Sequence, residues 1–271
     1  MAPSVGYWGR PTSTLDWCEE NYVVSYYIAE FWNTISNLVM IIPPLVGASL
    51  AYWQDLEFRI VNSYLGFMAV GIGSWIFHMT LLYEGQLLDE LPMIWGSSFL
   101  VYSYATLSSP PNRVYKPLML GLFIYCSIVT VGYLINQNPI FHQVAYALMV
   151  FAILVYGVKT ILTCQHNLPM YIISGLTYFF GFFLWNIDNK FCGYLTHLRH
   201  DVLGPLGPIT ELHAWWHVLA GSGTYLSLLF LTHTRYLFLR RNPKIKFFWR
   251  VYPYVTITTR ATGRFCPTPS S

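Results

Sequence analysis

The chain has 271 residues, of which 55% are hydrophobic, 18% aromatic and only 10% charged. Soluble domains carry about 25% charged residues, so an ordinary water-soluble domain is excluded and a bilayer is the expected solvent. The formal net charge is +3. Nucleic acid is not an expected partner, and no obligate protein partner is expected.

The first 30 residues contain acids and no apolar core, so they are not a cleavable signal peptide. Residues 14–33 read TLDWCEENYVVSYYIAEFWN, in which Asp16, Glu19, Glu20, Asn21 and Glu30 offer five oxygen side chains. Hard oxygen ligands suit Ca²⁺, but the glycine and alternating acids of an EF-hand are missing. On the residues alone the preferred reading is an acidic lead-in, with Glu30 favouring a helix start through the dipole.

Transmembrane helices need about 20 mostly apolar residues. Seven are expected, at 31–53, 61–82, 91–107, 117–135, 140–162, 170–187 and 213–232. Strand-like alternation is absent, so the fold class is all-α, a seven-transmembrane helical bundle. Pro43-Pro44 predicts a kink in the first span. Gly66, Gly71 and Gly73 allow close helix approach in the second. Ser74 and His78 lie one turn apart on that span and share a face. Pro92 suits the first position of the third span, which places Asp89 and Glu90 in a preceding acidic turn.

Further on, Cys126 reads as apolar filler and His142 as structural. Asn186, Asp188 and Asn189 read as a polar helix end. Span seven opens with His213 and His217, four apart on one face. This HxxxH clamp is weak alone, because no Glu follows the first His. The span has no Lys, against a retinal Schiff base. His166, His197, His200 and His233 read as solvated loop residues, and the tail from about Arg250 as loose. Three segments result: an acidic segment 1–30, a bundle 31–232 and a basic tail 233–271.

Lys and Arg concentrate on the cytoplasmic side of membrane proteins. Grouping the N-terminus with the loops after spans two, four and six gives 3 basic residues on that side and 12 on the other. The C-terminus is therefore expected in the cytoplasm. Ten of the 12 acids gather on the N-terminal side. The same topology sets His78, His213 and His217 at one level, with Asp89 beside them. Cys18 and Cys192 fall on the non-cytoplasmic side, whereas Cys164 and Cys266 fall on the reducing side. Disulfides persist in oxidising compartments, so Cys18–Cys192 is the expected bridge.

Three histidines and an open position are the usual ligand set of a catalytic Zn²⁺. Asp89 is placed to move a proton and Ser74 to hydrogen-bond a developing oxyanion. The physical reading is a membrane-embedded metal hydrolase acting on a lipid bond near the non-cytoplasmic interface. The alternative is a seven-span lipid receptor or lipid-binding protein with a structural zinc.

At these residues the chain resembles the alkaline ceramidases, seven-span members of a wider hydrolase superfamily with the adiponectin receptors. The matching stretches are GYWG, STLDWCEENY, YIAEFWNTISNL, MIIPP, GSWIFHMTLLYEGQLLDELPM, NPIFHQV, FLWNIDN, ELHAWWHVL and RRNPKIKF. They cover nearly the whole chain to about Trp249. The resemblance implies hydrolysis of ceramides (phytoceramide, dihydroceramide or unsaturated long-chain ceramide) in the endoplasmic reticulum or Golgi membrane. It implies zinc on His78, His213 and His217, with Ser74 and Asp89 catalytic. It also implies activating calcium on Asp16, the Trp17 carbonyl, Glu19, Asn21 and Glu30. Gly85 departs from the pattern, since relatives carry a larger residue, and is expected to loosen the turn between spans two and three.

Overall fold

The computed structural model describes residues 5–257. Cys266, Arg260 and Arg264, which entered the topology argument, lie outside the described residues. The chain is mostly helical. Its helices are α1 (Phe31–Ser36), α2 (Leu38–Trp53), α3 (Phe58–Thr80), α4 (Tyr83–Ala105), α5 (Lys116–Asn136), α6 (Pro139–Thr163), α7 (Leu168–His197) and α8 (Leu212–Phe238). A π-type turn (Leu198–Leu203) and a 3-10 segment (Gly204–Thr210) join α7 to α8. An antiparallel hairpin follows, β1 (Pro243–Phe248) with β2 (Tyr252–Ile257), in the register Pro243 opposite Ile257.

Among the described residues, five stretches are long and apolar enough to cross a membrane: Phe31–Trp53, Phe58–Thr80, Lys116–Asn136, Pro139–Thr163 and Leu168–Phe238. The last spans 71 residues and contains both α7 and α8. α4 is not among them. It carries Glu84, Asp89 and Glu90, which lower its hydropathy.

The first span breaks at Asn37, between α1 and α2, and not at the prolines. Asn37 turns its side-chain amide back to the Asn33 carbonyl at 2.9 Å, which competes with the helical ladder. Pro43 and Pro44 sit inside α2. A proline inside a helix leaves the carbonyl four residues back without its donor; Pro44 does this to Met40. Glycine accommodates the result. A Cβ on Gly71 of α3 would lie 2.9 Å from the Met40 carbonyl oxygen.

The same device recurs on the other flank. Only Leu81 and Leu82 separate α3 from α4, and Leu81 ends α3 in the left-handed conformation. Asp89, Glu90 and Pro92 therefore lie within α4, not in a turn before it. Pro92 frees the Leu88 carbonyl, and a Cβ on Gly73 would sit only 1.7 Å from that oxygen. Gly66 faces Gly96 lower on the same seam. Gly85 packs tightly, with Thr80 Oγ1 3.0 Å from where its Cβ would be. It draws the start of α4 onto the end of α3, and the loosening expected from its small size is not found.

The opposite end of the bundle is tied by Arg235, which is fully buried on α8. Its guanidinium pairs with Glu57 and donates to the Leu107 and Ser109 carbonyls at 2.6 and 2.8 Å. Burial acts to raise the Glu57 carboxyl, yet Arg235 and Arg59 hold it below the usual range. The hairpin docks here as well. Val255 is buried with Tyr64, Tyr225 and Leu228, and the Ile257 N–H donates to Gln54 Oε1 at 2.8 Å. Residues Tyr252–Ile257 are therefore a packed strand, against the loose tail expected from about Arg250.

Of the four histidines read as loop residues, His197 ends α7, His200 lies in the π-type turn and His233 is in α8. His197 and His200 are exposed; His166 and His233 are half-buried. Cys18 and Cys192 form a disulfide that ties the N-terminal segment to α7, and Cys126 and Cys164 are free. Peptide mapping under non-reducing conditions should recover a linked Cys18–Cys192 pair with unlinked Cys126 and Cys164. Alkylatable thiols at positions 18 and 192 in the native protein would contradict this arrangement.

Candidate metal centre

His78 is in the last turn of α3, and His213 and His217 occupy the first two turns of α8. All three are buried, at 0%, 3% and 4% exposure. Their ring centroids lie 5.1 Å (His78–His213), 4.8 Å (His78–His217) and 4.6 Å (His213–His217) apart. Among the described residues they are the group of three ligand-type side chains that converges, with one nitrogen from each inside 4.8 Å of the others.

Each ring is held from behind. His78 Nδ1 donates to Glu30 Oε2 at 2.5 Å. His217 Nδ1 lies 3.1 Å from the Asn33 carbonyl and 2.9 Å from Ser36 Oγ. Trp17 packs on the His213 ring at 4.0 Å. A histidine that donates its outer N–H to a carboxylate or carbonyl presents the other nitrogen as a lone pair. His78 Nε2 and His213 Nδ1 are buried without any hydrogen-bond partner. Buried imidazole nitrogens are normally paired. Two unpaired nitrogens within a triad whose rings converge fit a transition-metal ion with nitrogen ligands.

Ser74 is buried on α3, one turn before His78. It sits beside Asp89 of α4: a Cβ on the preceding Gly73 would lie 2.9 Å from the Asp89 backbone nitrogen, and the Ser74 hydroxyl is near enough to act on the Asp89 carboxylate. The Gly73–Leu88 contact sits one residue from each and sets their separation.

The acidic N-terminal residues gather beside this centre, but in different states. Glu30 Oε2 accepts from Asn33 Nδ2 as well as His78, and its Oε1 is buried without a partner. Glu19 is buried, and its two oxygens accept the Trp32 and Asn33 N–H groups at 2.7 Å each. It thus caps α1, the role expected of Glu30. Burial, with the Glu30 charge, lifts the Glu19 carboxyl to about 8 against those hydrogen bonds. Asp16 is exposed, while Trp17 and Asn21 are half-buried. Asp16 and Asp188 carry charge near enough to act on Glu30.

Asp188, read from the sequence as a polar helix end, is 1% exposed. Its Oδ1 accepts the His213 N–H at 3.2 Å, capping α8 from α7. Glu211 is buried beside it and raised to about 9 by burial, although Arg199 donates to it at 2.8 Å. From the sequence, Asn33 and Ser36, which stand behind His217, read as polar residues of the first span without a chemical role. Their only trace is the NTIS run of polar residues at the start of an apolar span.

The sequence as a whole is similar to those of known proteins. The Ceramidase family model matches residues 9–256. Alkaline ceramidase 3 of Mus musculus is 48% identical over 259 residues, covering 94% of this chain and 97% of the mouse protein. The chain belongs to the alkaline ceramidase family, and is therefore an enzyme. Alkaline ceramidase YPC1 of Saccharomyces cerevisiae is 36% identical over 92% of this chain and 85% of its own length. The Arabidopsis thaliana alkaline ceramidase is 32% identical over 93% of this chain and 95% of its own.

Gly73→Ala tests the seam. Its Cβ meets a backbone carbonyl that cannot rotate away, so α3 and α4 must separate. Overpacking of this kind costs about 1–3 kcal/mol, and it moves Ser74 from Asp89. Thermal melting and turnover should both fall, whereas Gly121→Ala, with open space around it, should leave both unchanged. Wild-type turnover in Gly73→Ala would remove the seam from the account.

Proposed function

We propose that this protein is a zinc-dependent ceramidase that works inside the membrane. It hydrolyses the amide of ceramides (phytoceramide, dihydroceramide or unsaturated long-chain ceramide) to a sphingoid base and a free fatty acid. The observation that carries the reading is the buried triad of His78, His213 and His217, with two nitrogens left unpaired. Family membership supplies the substrate class.

His78, His213 and His217 would hold the zinc. When bound, zinc acidifies water and polarises a carbonyl. The remaining work falls to the chain. Glu30, and the Asn33 carbonyl, fix the tautomers of His78 and His217. Asp89 takes the proton from the attacking water and returns it to the departing amine nitrogen. Water thus adds its oxygen to the acyl carbon, the C–N bond breaks and the amine leaves protonated. Ser74 donates to the ionised Asp89 and so orients it; once Asp89 has taken the water proton, the single Ser74 proton is free for the oxygen that gains charge.

Calcium is assigned to Asp16, the Trp17 carbonyl, Glu19, Asn21 and Glu30. The unpartnered Glu30 Oε1 supports this, because a cation would satisfy it. Glu30 would then join the calcium residues to the histidine triad, because its other oxygen accepts from His78. Occupancy of the acidic segment would thereby reach the histidine triad.

The membrane reading treats α7 and α8 as separate crossings. It admits α4 as a seventh because Asp89 and Glu90 face its neighbours, while the exposed Glu84 stands in its first turn, at the end of the crossing. The 3-to-12 charge asymmetry supports a lumenal N-terminus and a cytoplasmic C-terminus, and the Cys18–Cys192 bridge suits an oxidising lumen of the endoplasmic reticulum or Golgi. The acidic segment 1–30 then lies in the lumen, the catalytic bundle occupies 31–232, and the basic tail 233–271 lies on the cytoplasmic side, where lysines and arginines meet anionic lipid.

Three variants separate the roles, read as released fatty acid and zinc per chain. His213→Ala should lose both zinc and turnover. Asp89→Asn should lose turnover and keep zinc; full turnover there would favour a structural metal in a receptor or lipid-binding protein. Glu30→Ala should weaken zinc about 10- to 100-fold and abolish calcium activation. Full zinc content and activity in His213→Ala would end the assignment.

A further inference from the structure

Consecutive residues on a helix point about 100° apart. Asp89 lies on the α3 side of α4, where a Cβ on Gly73 would come within 2.9 Å of its backbone nitrogen and Ser74 is its neighbour, whereas the next residue, Glu90, turns to α5 and α6. Glu90 is buried, and Tyr133 of α5 donates a hydrogen bond to its Oε2. Gln86, one turn earlier on α4, donates to the same oxygen at 2.9 Å. His142 of α6 donates its Nε2 proton to the Glu90 backbone carbonyl at 2.7 Å, and its Nδ1 lies 3.6 Å from Glu90 Oε1. Gln86 reaches further, since its Oε1 accepts the Thr14 N–H at 2.8 Å. Gln86 and Tyr133 are fully buried and His142 nearly so. Three helices thus meet at Glu90, which the hydrolysis does not use, and the N-terminal segment reaches it through Gln86.

The need for such a cradle lies two residues on. Pro92 leaves the Leu88 carbonyl without its helical donor. The turn that carries Asp89 therefore lacks a rung of its ladder, and side chains must fix its rotation. Glu90 is gripped in that turn from outside the α3–α4 pair. We propose that Glu90 is a positioning residue for Asp89. Tyr133, Gln86 and His142 hold it, and through it they hold the Asp89 carboxylate on Ser74 and toward the histidine triad. Thr14 stands two residues before Asp16, so Gln86 also gives the N-terminal segment a grip on this turn. The inference rests on Asp89 being the proton-transferring group.

The test uses the full chain in detergent with a ceramide substrate, measuring kcat, KM and zinc per chain. Tyr133→Phe removes one hydroxyl and keeps the ring. Glu90→Leu removes the cradle, and Glu90→Gln keeps a hydrogen-bonding group of the same shape. Misplacing a catalytic group by about 1 Å costs on the order of a hundredfold in rate. Tyr133→Phe should lower kcat about tenfold or more, and Glu90→Leu further, with KM and zinc content unchanged. Glu90→Gln should recover most of the turnover, because the cradle uses hydrogen bonds and not charge. Wild-type kcat in Tyr133→Phe overturns the proposal, as does loss of zinc in that variant. A Glu90→Gln protein as slow as Glu90→Leu also overturns it, pointing to a charge-dependent role. If Glu90→Leu does not fold, Tyr133→Phe and Glu90→Gln decide. Asp89→Asn is run alongside: wild-type kcat there sinks the assignment of Asp89 itself. Loss of kcat in Asp89→Asn, with wild-type kcat in Tyr133→Phe, sinks the positioning role alone.

Discussion

Glycine meeting a stranded carbonyl is the contact on which this structure depends. Pro44 and Pro92 each deprive a carbonyl of its helical donor, and α3 meets each carbonyl with a glycine, Gly71 or Gly73. In an apolar medium an unpaired carbonyl is costly. Pressing it onto a bare Cα, where a weak C–H donor is available, lowers that cost and brings three helices to backbone distance. α3 is thereby fixed between α2 and α4 at the height where it carries Ser74 and His78. A longer side chain at either glycine would hold the helices apart and dissolve the site between them.

The site builds on that frame by sharing groups among elements. Glu19 caps α1, whose Asn33 and Ser36 support His217 from α8. Glu30 begins α1 and supports His78 from α3. Asp188 of α7 caps α8 at His213. The short helix α1 is thus the common footing of two histidines, and the acidic segment before it supplies the carboxylates. A disulfide and Arg199, which donates to the Cys18 carbonyl at 3.2 Å, bind that segment to the α7–α8 connection. Perturbing the acidic segment should therefore be felt at the rings.

Much of this was legible in the sequence, for identifiable reasons. The apolar stretches stand out because hydrocarbon tolerates few charges. The histidines stand out because imidazole at that depth needs a partner, and the i, i+4 spacing fixes a common face. The α4 start was hidden, because Pro92 carries two opposite signals, a good first helical residue and a tolerated interior one. Which applies depends on whether Asp89 and Glu90 find partners on other helices. Asp188 looked like a solvated helix end for the same reason, since its burial comes from α8, distant in sequence. The hairpin escaped notice because Lys244, Lys246 and Arg250 made the tail read as basic and loose. Its strand character lies in the Ile, Phe, Tyr and Val between them.

The central claim is a metal ion held by three imidazoles from two helices. X-ray absorption at the zinc edge of the active, purified protein tests it most directly. The account predicts about one zinc per chain with three histidine nitrogens at about 2.0–2.1 Å and no sulfur ligand. Active enzyme without stoichiometric metal, or a first shell of sulfur or of carboxylate oxygens alone, would contradict it.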